Sequence, residues 1–303
     1  MAPFLKGAAA ICGGPFVMAE TVPGSGPAAQ AVINWGRAML DRILITGAAG
    51  GVGSQLRPLL APLARTLRLA DICGIADVAA NEEVVTGDLA DPDAVNAMVA
   101  GVDGIVHLGG VSTEQSWAKI RPANIDGVFH LYEAARRNGN PRIVFASSNH
   151  VVGYYRQDEY LDNRALPKPD GLYGVSKCFG EAMASMYHDK FGIETAIVRI
   201  GSCFPEPADR RMLSSWLSAQ DFARLIERCF NVARLGCPVI YGASANDTLW
   251  WDNSRTAWLG WRPRDSSAPY REKVEAAEPA PSPDHPVARY QGGNFTAEPI
   301  RED

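Results

Sequence analysis

One short stretch restricts the fold more than any other. Gly47-Ala-Ala-Gly50-Gly51-Val52-Gly53 follows the apolar run Arg42-Ile-Leu-Ile-Thr46 and precedes a helical pattern. Glycines spaced G-x-x-G-x-x-G remove Cβ atoms where a strand turns into a helix. Backbone N–H groups at the helix N-terminus can then approach a pyrophosphate, and the helix dipole favours the anion. A chain that opens this way reads as a dinucleotide-binding strand–turn–helix unit. Pro58 falls inside the helix that follows.

The next elements fit that frame. Arg68-Leu-Ala-Asp71 ends a second strand. Asp71 stands near the position, about 20 residues on, where an acid accepts hydrogen bonds from the adenosine ribose. A carboxylate there repels a 2′-phosphate, so the expected cofactor is NAD rather than NADP. Val84–Leu89 reads as the third strand and its exit, and Asp91-Pro92 as the cap and first residue of a helix. Gly104–Ser112 is the fourth strand, and its Gly109-Gly110 lets backbone approach a ligand. His107 inside this apolar run reads as a core histidine. A helix is expected from Asn124 to Asn138, stopped by Gly139. Asn124 is read as structural.

Arg142–Ser148 is the fifth strand. It ends at the carboxyl edge, where open α/β sheets bind ligands. A sixth strand spans Glu194–Ile200. Strands and helices alternate throughout, which predicts an α/β fold: a Rossmann-type, doubly wound parallel sheet of about seven strands with right-handed crossovers.

Between the fifth and sixth strands lies Tyr173-Gly-Val-Ser-Lys177. On a helix this spacing puts a phenol and an ammonium on one face, about 6 Å apart at Cβ. Tyrosine ionises near pH 10. A neighbouring ammonium favours the phenolate, which can then serve as a base. Ser148 at the sheet edge would hydrogen-bond the reacting oxygen and fix it beside Tyr173.

After Phe204 the pattern loosens. Pro205–Leu213 reads as a loop over the sheet edge, and it holds two adjacent arginines, Arg210 and Arg211. Ser218-Ala-Gln-Asp221 reads as a capping box opening a helix to about Leu235. Pro238–Gly242 is a seventh strand. Trp250, Trp251, Trp258 and Trp261 read as packing of a small C-terminal lobe, and the Pro-rich tail from about Asp265 as irregular. The expected division is a cofactor domain at 39–204 and a small substrate lobe with tail at 205–303, packed on it. Residues 1–38 are Ala-, Gly- and Pro-rich. They read as a disordered or non-native extension rather than a signal peptide, with Met39 as a candidate native start.

Composition narrows the partners. A net charge of −5 without a long basic run argues against a nucleic-acid surface and gives no sign of attraction to an anionic membrane. No apolar run approaches the ~20 residues of a membrane span. The six cysteines have neither disulfide-scaffold nor zinc spacing, and read as reduced thiols of a cytoplasmic protein without a metal.

Together, the glycine triplet, Asp71, Asp88-Leu89, Ser148 and Tyr173-x-x-x-Lys177 resemble the extended short-chain dehydrogenase/reductase superfamily. The likeness is closer to its uronate dehydrogenases. His107-Leu-Gly-Gly110, Phe145-Ala-Ser-Ser-Asn-His150, Gly171–Glu181, Val198–Cys203, Gly242–Asp247 and Trp250–Asn253 carry it. The resemblance implies NAD contacts at Gly47, Gly50, Gly51, Val52, Gly53, Asp71, Asp88, Leu89, Leu108, Gly109, Gly110, Lys177 and Cys203. It implies a sugar-acid site lined by Ser112, Ser148, Asn149, His150, Ser202 and Arg211, and it is what selects Arg211 over Arg210 as the carboxylate partner. The implied reaction is oxidation of the C1 hydroxyl of pyranose glucuronate or galacturonate to an aldaro-lactone, in a homo-oligomer. Two other readings share many of these residues: a nucleotide-sugar epimerase or dehydratase, and an NAD(P)-sensing regulator without turnover.

Overall fold

A computed structural model describes residues 39–303. The reading of residues 1–38, Cys12 included, lies outside the described residues. Nine strands are present among the described residues: β1 (Leu40–Thr46), β2 (Ala64–Asp71), β3 (Glu82–Thr86), β4 (Gly104–His107), β5 (Arg142–Ser148), β6 (Leu161–Asp162), β7 (Thr195–Ile200), β8 (Val239–Gly242) and β9 (Trp251–Asp252). Seven form one parallel sheet in the order β3-β2-β1-β4-β5-β7-β8, and β6 pairs with β9. The chain order reverses between β1 and β4. This opens a crevice at their carboxyl ends.

The helices are α1 (Gly51–Leu60), α2 (Pro92–Val99), α3 (Trp117–Arg121), α4 (Gly127–Arg137), α5 (Leu172–Phe191), α6 (Met212–Ser215), α7 (Ala219–Asn231), α8 (Arg271–Ala277) and α9 (Pro286–Arg289). The strands send alternate side chains to opposite faces. Ile43, Ile45, Val106, Val144 and Val198 pack with Leu56 and Leu60 of α1 and with Phe222 and Ile226 of α7. Leu44, Ile105, Ile143, Phe145 and Ile197 pack with Val95 of α2, Leu131 of α4 and Tyr187 of α5. A sheet apolar on both sides needs helices on both sides, and the doubly wound parallel fold expected from the sequence is the one present.

Local differences from the sequence reading have identifiable causes. The fourth strand ends at His107 rather than Ser112, because Gly109 and Gly110 turn away into the crevice. The helix expected to begin at Asn124 begins at Trp117. It passes through one wide turn, Pro122–Asp126, where Gly127 donates to the Pro122 carbonyl. That turn aims Asn124 inward: its amide accepts from Val111 N and donates to Val111 O and Ser176 Oγ, which is a structural role.

Helix α7 stops at Asn231 rather than near Leu235. Buried Arg142, paired with Glu194, reaches from β5 to donate to the Cys229 and Val232 carbonyls. It thereby satisfies carbonyls that the next turn would have used. Half of the expected capping box is present. Ser218 Oγ accepts from Asp221 N, but the Asp221 carboxylate turns away to Ser244 Oγ and to the backbone of Arg264 and Asp265.

The tail differs most. It contains α8, α9 and a final turn at Gly293–Thr296. Gln291, wholly buried, anchors it. Its amide donates to the Arg156 and Glu159 carbonyls and accepts from Trp251 Nε1, and its backbone N–H donates to Tyr155 O. Trp250 and Trp251 are buried, Trp251 stacking on Tyr241 at 5.3 Å, while Trp258 is exposed. Among the described residues, no helix is long and apolar enough to cross a membrane.

Candidate active site

A cavity of about 1690 Å³ opens over the carboxyl ends of β1, β4, β5 and β7. One end is lined by Gly47, Gly50, Gly51, Val52, Gly53, Asp71, Asp88, Leu89, Leu108, Gly109, Gly110 and Cys203. The glycines are sterically required. Gly47 has φ +69°, and a Cβ there would lie 2.8 Å from Gly109 N. A Cβ on Gly53 would lie 2.2 Å from Gly47 O. Helix α1 begins behind Gly50 with no side-chain cap, so its first N–H groups point to the cavity. Asp71 stands beside this loop, accepting from Ala49 N and Cys73 N. The cradle fits a dinucleotide: small backbone for the pyrophosphate, a helix N-terminus, and an acid for the ribose.

The other end holds Ser112, Ser148, His150, Tyr173, Lys177, Ser202 and Arg211. Helix α5 presents Tyr173, Lys177 and Glu181 at four-residue steps. Glu181 pins that face to the sheet through Arg199 of β7 at 2.8 Å and Ser147 of β5 at 2.6 Å. The α5 N-terminus is capped from outside: Glu114 accepts from Leu172 N and Tyr173 N, each at 2.9 Å. Lys177 Nζ donates to Ala146 O at 2.9 Å and lies 5.7 Å from the Tyr173 ring centre.

Charge is held here against solvation. Burial drives Lys177 down to about 8. Burial also drives Tyr173 up to about 12; the Ser148 hydrogen bond opposes this, and the Asp170 charge adds to it. Burial alone favours the neutral phenol, and positive charge beside it favours the phenolate that a base would require. His107 is buried against Thr46 Oγ1 at 2.8 Å and held neutral, its pKa driven down to about 3 by burial and by Lys177. It is a core residue.

Arg211 is half-buried; desolvation lowers its pKa, and the charges of Asp209 and Asp170 oppose this. It donates to Ser202 Oγ at 3.0 Å and Gln291 O at 3.3 Å, and no carboxylate pairs with it among the described residues. Gly293 makes room for it, since a Cβ there would lie 2.5 Å from Arg211 Cδ. Arg210 is occupied elsewhere, on Glu275 and the Glu278 carbonyl. Asn149 differs from expectation. It is fully buried and lies behind the cavity wall, where its amide bonds Gln291 O, or in the swapped orientation accepts from Arg211 Nη1. Its place is to support Arg211 and the tail.

The NAD dependent epimerase/dehydratase family model matches residues 43–225. Uronate dehydrogenase of Agrobacterium fabrum is 56% identical over 86% of this chain and 98% of its own length. That of Pseudomonas putida is 54% identical over 84% and 95%. The chain belongs to this family, among its uronate dehydrogenases. It is an NAD-dependent oxidoreductase. The crystal structure of uronate dehydrogenase from Agrobacterium tumefaciens superposes with a TM-score of 0.85 at 56% identity, covering 87% of this chain and 99% of that one. A mutant of that protein was crystallised complexed with NAD. Glucuronic acid dehydrogenase from Chromohalobacter salexigens also gives 0.85, at 55% identity over 86% and 98%.

The Asp71 position leads to a prediction. Asp71→Ala in this enzyme should weaken NAD⁺ by about tenfold, as expected for the loss of hydrogen bonds to a charged group. It should improve NADP⁺ by relieving repulsion of the 2′-phosphate. The ratio of kcat/KM for the two cofactors measures this, and an unchanged ratio would remove Asp71 from the ribose site.

Proposed function

We propose that this enzyme oxidises the C1 hydroxyl of pyranose uronic acids, D-glucuronate and D-galacturonate, to the aldaro-lactone. The observation that carries this reading is Arg211. A half-buried guanidinium that lines the cavity without an ion pair among the described residues, held only by Ser202 Oγ and the Gln291 carbonyl, has donors free for a ligand's carboxylate. It shares a cavity with Tyr173, Ser148 and Lys177. A guanidinium forks onto a carboxylate bidentately, which fixes a sugar acid at C6 and so orients C1.

Ser148 and Tyr173 hold the C1 hydroxyl between them. Tyr173, as phenolate, takes the hydroxyl proton while the C1–H bond gives up its electron pair. NAD⁺, bound in the glycine cradle, accepts that hydride and places a positive ring near Tyr173. Lys177 stabilises the phenolate and lies within reach of the cofactor ribose. The C1 carbonyl that forms is the lactone carbonyl, because the ring oxygen is already attached. The enzyme acts in the cytoplasm, as a homo-oligomer.

The test is NADH absorbance with both uronates and with glucose and galactose. Turnover of the acids alone is expected. Equal turnover of the neutral sugars would remove the carboxylate requirement. Saturation by a UDP-sugar without response to free uronates would replace this reading with that of a nucleotide-sugar enzyme.

A further inference from the structure

Asp170, three residues before Tyr173, is enclosed more tightly than any packing need explains. Its side chain is wholly buried. Three segments give up a Cβ beside it. A Cβ on Gly153 or on Gly292 would lie 1.9 Å from its Oδ2, and one on Gly174 would lie 3.2 Å from its Oδ1. Gly292 comes from the C-terminal tail, and its N–H donates to Gly153 O, closing the cage. Inside, Oδ2 meets His150 Nδ1 at 2.7 Å, while Oδ1 has no hydrogen-bond partner among the described residues. The backbone repeats the link, with Asp170 N donating to His150 O.

The imidazole is held on its faces as well. Phe295 of the tail stacks on it at 3.8 Å, and the Tyr173 ring meets it edge-on at 5.7 Å. A buried carboxylate with one side-chain partner demands a donor from that partner. Nδ1 therefore carries the proton. Nε2, across the ring, is left as a lone-pair acceptor on the side where His150 lines the cavity.

We propose that Asp170 is a positioning residue that fixes the His150 tautomer, so that Nε2 accepts a hydrogen bond from a substrate hydroxyl beside the reacting carbon. This rests on the sugar-acid reading of the cavity. An aspartate that orients a histidine and sets which nitrogen is free is a recurrent device in hydrolytic sites. Here it selects for a ring hydroxyl as donor and works next to the base without sharing its proton. Tyr173 and Arg211 both feel the Asp170 charge, so the carboxylate also ties the two ends of the sugar site together.

The test combines kinetics with a direct view of the ring. In the full chain, Asp170→Asn should lower kcat/KM for uronate on the order of 10²-fold, the scale of lost outer-shell orientation. NAD⁺ affinity, measured by fluorescence titration, should stay within about twofold. In a His150→Gln background the same change should cost less than about threefold, because there is no imidazole left to orient. An undiminished loss in that background, or no loss in the single variant, overturns the proposal. Independently of activity and of how the variant folds, ¹⁵N spectra of histidine-labelled wild-type enzyme at pH 8 should show His150 as the Nδ1–H tautomer. The signal is assigned by its disappearance in His150→Gln. An Nε2–H tautomer or a doubly protonated ring overturns the proposal. Wild-type enzyme inert toward both uronates would sink the substrate reading instead, and the spectra would still decide the tautomer.

Discussion

Tyr173→Phe is expected to lower kcat for uronate by at least about 10³-fold while leaving NAD⁺ affinity near wild type, since general-base catalysis contributes ~10²–10⁴-fold. Phenylalanine keeps the ring that packs on His150 and Phe295, so only the hydroxyl is lost. The cofactor cradle is built from β1, β2 and β4 and does not touch that hydroxyl. Stopped-flow absorbance and a cofactor titration check the two halves, and activity above a few per cent would remove Tyr173 as the base.

The electrostatics set a second expectation for the same residue. Burial holds the phenol at about 12. Reaching neutrality takes about 7 kcal/mol at ~1.4 kcal/mol per pH unit. The Lys177 ammonium, 5.7 Å from the ring centre, supplies roughly 3 kcal/mol at an effective dielectric of ~20. The proposed mechanism requires phenolate beside ammonium. Activity must therefore rise with pH through the working pKa of Tyr173 and fall where Lys177, held at about 8 by burial in the free site, loses its proton. Lys177→Ala should move the acid limb to higher pH. An acid limb that stays in place would mean that Lys177 serves only to bind.

How much of this was legible follows from how far each contact reaches along the chain. The cradle could be read because its parts are local: a strand, three glycines and a helix within a dozen residues, then Asp71 at a fixed interval. The doubly wound sheet could be read because strands and helices alternate along the chain. The supports of the site left no such trace. Glu114 caps α5 from 58 and 59 positions away. Gln291 reaches Arg156 across 135. Phe295 stacks on His150 from the far end of a tail whose prolines read as irregular. Two of those prolines, Pro269 and Pro286, sit in first turns, where a missing N–H costs nothing, so the tail could still wind into α9. Asp170 was the nearest to legible, three residues from Tyr173, but an aspartate before a helix ordinarily reads as a cap. Asn149 is buried while its neighbours Ser148 and His150 line the cavity; the turn that begins after Ser148 directs it inward.

Arg211→Ala should raise KM for uronates about 10²-fold or more and change kcat less, with KM for NAD⁺ unaltered. A charge-assisted bidentate pair, desolvated on both sides, is worth at least the ~1.5–3 kcal/mol of a hydrogen bond to a charged group. The substitution removes a half-buried cation that has no ion pair among the described residues, so no partner carboxylate is left stranded in the free enzyme. Arg211→Lys separates charge from shape. It keeps the cation but loses the fork that spans Ser202 and Gln291, and it should recover only part of the affinity. Arg210→Ala is the internal control. Its guanidinium is committed to Glu275 and Glu278, so uronate KM should stay within about twofold, the scale of a partly exposed pair. The reverse pattern, with Arg210 sensitive and Arg211 silent, would mean that α8 moves in solution to bring a different arginine to the carboxylate. Among the described residues Arg210 has an ion pair with Glu275 and Arg211 has none, which is why the proposed carboxylate contact is tested at Arg211.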